Sequence, residues 1–197
     1  MKRIILIVAV FFQLISARSQ TIENIFLSMP PEILPTLNQP GRLNLIDLYK
    51  EGEKAENKDL LNNKCALTVL QDDYIRLESE KNSLELISLP MINDSRLLLV
   101  IQTVCAPTCD SRLNFYTIQW KELDTNSFLT PVDKNWFIRE DVGLNFDFMK
   151  FSYSPEKKLL IQEYQTSEYL EAGQEEKEKS NLKEETKSYH WSGTRFE

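Results

Sequence analysis

Between Arg96 and Trp120 the chain reads RLLLVIQTVCAPTCDSRLNFYTIQW, two apolar, β-rich runs joined through Cys105-Ala106-Pro107-Thr108-Cys109. Strand side chains alternate with period two, so one register fixes which residues share a face. With Ala106-Pro107-Thr108 as a three-residue loop, Cys105 faces Cys109, Ile101 faces Leu113, Leu99 faces Phe115 and Leu97 faces Thr117. Residues directly opposed in an antiparallel pair have Cα atoms about 4.5–5.5 Å apart, within the reach of a disulfide. Register and cross-link therefore support each other. The opposite face carries Leu98, Val100, Val104, Tyr116, Ile118 and Trp120 and is also largely apolar. Such two-sided hydrophobicity predicts central strands covered on both sides, by helices or by a second layer.

The chain opens with a pattern of another kind. Lys2 and Arg3 precede a run over residues 4–15 that is apolar except for Gln13, and Ala17-Arg18-Ser19 offers small residues where a signal peptidase reads. This predicts a secretory leader over residues 1–19, cleaved before Gln20. The run is shorter than the roughly 18–20 residues a spanning helix needs, and no later stretch reads as a membrane span. No cysteine stands near the cleavage point to carry a lipid anchor. The expectation is an exported protein, periplasmic or secreted and not lipid-anchored, with residues 20–197 forming one domain.

Charge narrows the partners. The whole chain has 23 Lys and Arg against 30 Asp and Glu, a net charge of −7, and loss of Lys2, Arg3 and Arg18 with the leader takes it to −10. Repulsion from phosphate argues against nucleic acid and anionic membrane surfaces. A hydrophobic content of 42% still supplies a sizeable core.

The mature chain begins with helical spacing. Ile22, Ile25, Phe26 and Met29 fall at i, i+3, i+4 and i+7 before Pro30-Pro31. A second short helix is expected over residues 32–37, turn chemistry at Asn38-Gln39-Pro40-Gly41, and a third helix around Leu43, Ile46, Leu48 and Tyr49. From Cys65 onward short β-like runs follow at 66–70, 74–79 and 84–89, with Leu77 matched to Leu86 across a turn at residues 80–83. They lead into the cysteine hairpin as a meander of four or five strands. Phe146, Phe148 and Phe151 are expected in the core, 158–165 as a strand, 168–187 as a solvated Glu/Lys segment, and 188–196 as a closing hairpin. The fold class predicted is α+β, short N-terminal helices packed on an antiparallel β-meander.

Chemistry is sparse. In an oxidising compartment Cys105 and Cys109 are expected to be bonded, a closure worth about 2 kcal/mol in the chain-entropy model. Cys65 is expected as a buried core thiol, with pairing to Cys105 or Cys109 left open. The sharper alternative makes the Cys105-x-x-x-Cys109 pair a thiol redox or Cu(I) site with His190 as third ligand. Its spacing resembles the CxxxC of secreted copper-handling thioredoxin-like proteins, but there the motif sits at a strand-to-helix junction, whereas Cys109 leads into a strand. His190 is the only histidine, no GxSxG elbow presents a nucleophile, and five glycines include no phosphate loop. No catalytic residue, metal site or cofactor is predicted.

One further pattern is shared with known sequences. Met29-Pro30, Leu34-Pro35, Asp72-Asp73-Tyr74 and above all the run from Thr103 to Arg112, with Phe115-Tyr116 and Trp120 to Leu123, resemble the exported Bacteroidetes family DUF3256, a domain of unknown function. The resemblance implies a cell-envelope or secreted setting and supplies no catalytic residues. The functional expectation is a non-enzymatic binding or structural module whose partner is an envelope protein or a glycan.

Overall fold

The computed structural model describes residues 20–139, 147–165, 181–183 and 186–197. The predicted leader, Phe146 and most of the 168–187 stretch lie outside the described residues.

Thr21 caps the first helix, α1 (Ile22–Leu27), by accepting from Asn24 N at 3.3 Å, and Ile22, Ile25 and Phe26 turn inward from it. The expected helix over 32–37 does not form; the segment is a series of turns. Proline lacks an N–H to continue a helix and disfavours helical backbone just before it. Three carbonyls of the segment are taken up by donors outside it. Ile33 O accepts from Gln102 Nε2 at 2.8 Å, Leu37 O from Arg42 Nη1 at 3.0 Å, and Thr36 O from Leu60 N at 2.7 Å. The predicted turn at 38–41 is instead the start of α2 (Gln39–Lys50): Asn38 is its N-cap, accepting from Gly41 N at 2.9 Å, and Pro40 sits in the first turn, where no donor is needed.

Arg42 on α2 is buried and clamps this layer. Its Nη2 donates to Leu27 O and Met29 O, both at 3.0 Å, besides the bond to Leu37 O. The guanidinium thus satisfies carbonyls that the end of α1 and the 31–37 turns leave open.

The meander has seven strands, each antiparallel to its sequence neighbour: β1 (Glu56–Lys58), β2 (Lys64–Leu70), β3 (Tyr74–Ser79), β4 (Asn82–Pro90), β5 (Arg96–Cys105), β6 (Cys109–Thr117) and β7 (Glu122–Leu123). Thr125–Ser127 forms a single 3-10 turn and Lys134–Phe137 a short helix, α3. A second sheet follows, β8 (Met149–Ser154), β9 (Leu159–Tyr164) and β10 (Thr186–His190), in the order β10-β9-β8.

The pairing of β5 with β6 places Leu97 opposite Thr117, Leu99 opposite Phe115, Ile101 opposite Leu113 and Cys105 opposite Cys109, the register that parity predicts. Between β3 and β4 the register differs from expectation: Leu77 faces Leu84, and Leu86 faces Ile75. Asn82 and Ser83 belong to β4, so the turn has contracted to Glu80-Lys81. The slip is two residues, which leaves Leu77, Leu84 and Leu86 on one face.

Both faces of the meander are covered. Ile75, Leu84, Leu86, Leu98 and Val100 pack under α1 and α2 against Ile25, Phe26, Leu45 and Ile46. Tyr74, Ile87, Leu99, Ile101 and Phe115 pack against Phe151, Tyr153, Leu160 and Tyr189 of the second sheet. The uninterrupted apolar run Leu97-Leu98-Leu99-Val100-Ile101 is buried throughout because each side chain meets one layer or the other.

The second sheet does not lie along the first. Met149 N donates to Asp110 Oδ1 of β6 at 3.1 Å, Phe151 N to Ser111 Oγ of β6 at 2.9 Å, and Tyr153 N to Glu85 Oε2 of β4 at 2.9 Å. Within five residues β8 thus crosses from β6 to β4, steeply across the underlying strands. Its outward N–H groups, which an edge strand leaves unpaired, are taken up by three side chains of the meander.

Candidate functional site

A cleft of about 360 Å³ opens at one end of the meander, where the ends of β2 to β5 meet residues 33–36. Buried Leu77, Leu84 and Cys65 form its floor. One wall is Ile33 to Thr36, held on the sheet by the bonds from Gln102 and Leu60. The rim carries Asp59, Leu61 and Asn63 on one side and the Glu80-Lys81 hairpin tip on the other.

The rim is built to hold its shape. Asp59 Oδ1 accepts from Leu61 N at 2.9 Å and Asn63 N at 2.8 Å, an Asx turn that fixes the 59–63 loop. Glu78 Oε1 lies 2.8 Å from Arg76 Nε. Lys81 O accepts from Cys105 N at 2.8 Å, so the hairpin tip is tied to the end of β5. Two of the three rim carboxylates, Asp59 and Glu78, are thereby engaged within the fold.

The predicted cysteine pair lies next to this cleft on the opposite face of the sheet. Because the Cys105 N–H turns toward β4, Cys105 and Cys109 form a non-hydrogen-bonded pair, the closer of the two antiparallel spacings. Their Cα atoms are 3.9 Å apart and their Sγ atoms are bonded. The Ala106-Pro107 peptide within the loop is cis. Val104, whose side chain points away from the disulfide, lines the cleft.

Cys65 is a free, buried thiol among the helix-side core residues, facing away from Cys105. Burial, with a smaller contribution from Asp59, pushes its pKa up to about 11, so it stays protonated and a poor nucleophile at neutral pH. His190 is not brought to the cysteines. It pairs with Leu159, which pairs with Ser154 at the far end of β8, whereas the Cys109 end of β6 meets Met149 at the start of β8. That places His190 roughly 17 Å along the strand direction and two strand spacings, about 10 Å, across. Among the described residues no three His, Cys, Asp or Glu side chains are grouped as a metal site.

The sequence reading missed Glu85. It sits on β4 between the two sheets, 2% exposed, accepting from Tyr74 Oη and Tyr153 N, both at 2.9 Å, with Arg76 opposite it on β3. Burial raises its carboxyl above the usual range, against the pull of those hydrogen bonds and of Arg76 and Lys150. The local signal was present: alternation puts residue 85 on the same face of its strand as Ile87 and Leu89, and a glutamate stands there.

Over residues 14–196 the sequence matches the family DUF3256, described as a protein of unknown function. The chain belongs to this family. A solved structure with the same fold is that of a domain of an uncharacterized protein from Porphyromonas gingivalis W83, at 24% identity and a TM-score of 0.75, covering 91% of this chain and 99% of that one. None of the curated proteins matches. No described helix of this DUF3256 member is long and apolar enough to cross a membrane.

Proposed function

We propose that this DUF3256 protein is an exported cell-envelope component, a single α+β domain over residues 20–197 after loss of its leader, that works by binding a protein or glycan rather than by catalysis. The observation that carries the reading is the cleft. It is a preformed concavity at the low end of the size range of ligand sites, with an apolar floor and a polar rim. Asp59 and Glu78 serve the rim's own structure, which fits recognition better than acid–base chemistry. Export is supported by the n-region, the apolar run and the small residues before Gln20, and by a disulfide, which persists in oxidising compartments.

Two measurements test it. Fractionation of the native host, with N-terminal sequencing of the recovered protein, is expected to find Gln20 first and the protein outside the cytoplasm. A photo-reactive residue placed at Leu61, on the cleft rim, is expected to give a discrete adduct in those cells. The same residue at Ile92, equally exposed but not part of the cleft lining, is expected to give none. Adducts of equal yield from both positions, or from neither, would sink the binding role of the cleft.

A further inference from the structure

We infer that the cleft takes a polypeptide segment in which a large apolar side chain stands beside Lys or Arg, an inference that rests on the binding role just proposed. Three observations carry it. Five large apolar side chains are exposed among the described residues, and two of them, Leu61 at 69% and Val104 at 55%, line the cleft, with Leu60, 64% exposed, next to Leu61 in the chain. Exposed apolar surface rimmed by polar groups is the mark of an interaction site. Below it the floor of Leu77, Leu84 and Cys65 is buried and apolar. A volume of about 360 Å³ suits one large side chain with its flanking backbone, not a folded surface.

Charge selects what flanks that side chain. Asp59, Glu78 and Glu80 line the cleft against Lys81. Arg76 offsets Glu78, while the donors to Asp59 are the neutral N–H groups of Leu61 and Asn63. The mouth is therefore negative on a chain already at −7, and the field favours a cationic neighbour and opposes an anionic one. No aromatic ring stands among the described lining residues to stack on a sugar face, whereas Asn63, Asn82 and Thr36 offer the polar groups an extended backbone can pair with.

The test uses the oxidised mature chain, labelled with nitrogen-15, and four probes: the N-acetylated, C-amidated tripeptides Lys-Phe-Lys, Glu-Phe-Glu and Lys-Gly-Lys, and the neutral disaccharide cellobiose. Lys-Phe-Lys is expected to shift the amides of Leu34, Thr36, Leu61, Asn63 and Val104 saturably, at least about fivefold more tightly than the other three, with affinity that falls as salt rises. Leu61→Ser, at a largely exposed site, is expected to weaken Lys-Phe-Lys at least about threefold with the rest of the spectrum unchanged. Glu80→Lys is expected to reverse the order of Lys-Phe-Lys and Glu-Phe-Glu. Tighter binding of Glu-Phe-Glu, Lys-Gly-Lys or cellobiose at those amides would overturn this ligand class and leave the binding role standing. Absence of cleft shifts with all four probes would overturn both.

Discussion

Glu85 shows how a single residue ties the layers together. Its carboxylate receives the Tyr153 N–H of β8 and the Tyr74 hydroxyl of β3, so removing it orphans two buried donors at once. Glu85→Ala is expected to cost at least about 2 kcal/mol by denaturant unfolding, since each unsatisfied buried group costs about 1–3 kcal/mol. Glu85→Gln keeps an acceptor and removes the charge. The folded carboxyl titrates above its ordinary value of 4.5, so the folded state holds the proton more tightly and stability falls as pH rises from there through the folded value. The glutamine variant should lose that fall. Unfolding curves between pH 4.5 and 7 check this, and the same slope in both proteins would assign the pH dependence elsewhere. At the stapled loop, Cys105→Ser is expected to lower stability by about 2 kcal/mol and to leave the circular dichroism spectrum recognisable. An unchanged melting temperature under oxidising conditions would show the bond to be irrelevant.

Among the elements, hairpins were legible and helix boundaries less so. The β5–β6 register followed from parity because two cysteines, a short loop and an apolar alternation agreed on one solution. The β3–β4 turn had no such anchor, and a two-residue slip preserves the facing of every side chain, so patterning alone cannot detect it. Residues 32–37 read as a helix with Pro31 at its first turn, yet their carbonyls are used by Gln102, Arg42 and Leu60, partners that sequence proximity does not supply for the first and last. The β8 edge rests on the same kind of long-range supply. Ser111 Oγ accepts from Phe151 N and shares a bond with Thr103 Oγ1 at 2.8 Å. Ser111→Ala is therefore expected to destabilise by about 1–3 kcal/mol and to speed amide exchange at Phe151 more than at Leu160 on β9. Equal acceleration at both positions would mean that β8 is held by packing alone.

For the whole molecule, burial should set the order of opening. β4 and β5 lie at the middle of the meander with a layer on each side, whereas β1 and β7 are short edge strands. Amide exchange is expected to be slowest around Leu86 and from Leu98 to Val100 and fastest at β1 and β7, because local opening costs least where little apolar surface is buried. The candidate site was less legible than the fold. The cysteine pair and the cleft share one end of the sheet but lie on opposite faces: the cleft is on the helix side, assembled from residues 33–36, 59–65, 77–84 and 102–104. Each piece is ordinary in sequence, and only their convergence makes a concavity.

Properties governed by neighbours along the chain can be read from the residues alone: the unbroken apolar run that makes Leu97 to Ile101 a doubly buried strand, the facing of Cys105 and Cys109, the helical stripe of Ile22, Ile25 and Phe26, and the acidic balance of charge. Tertiary structure alone decided which layer each face would meet, the steep crossing of β8 over β4 and β6, the burial of Glu85, and the distance that separates His190 from the cysteines. The physical reason is range. Periodicity and turn chemistry act over a few residues, whereas a buried carboxylate or an edge N–H finds its partner tens of residues away, where only the packing of layers brings the two together.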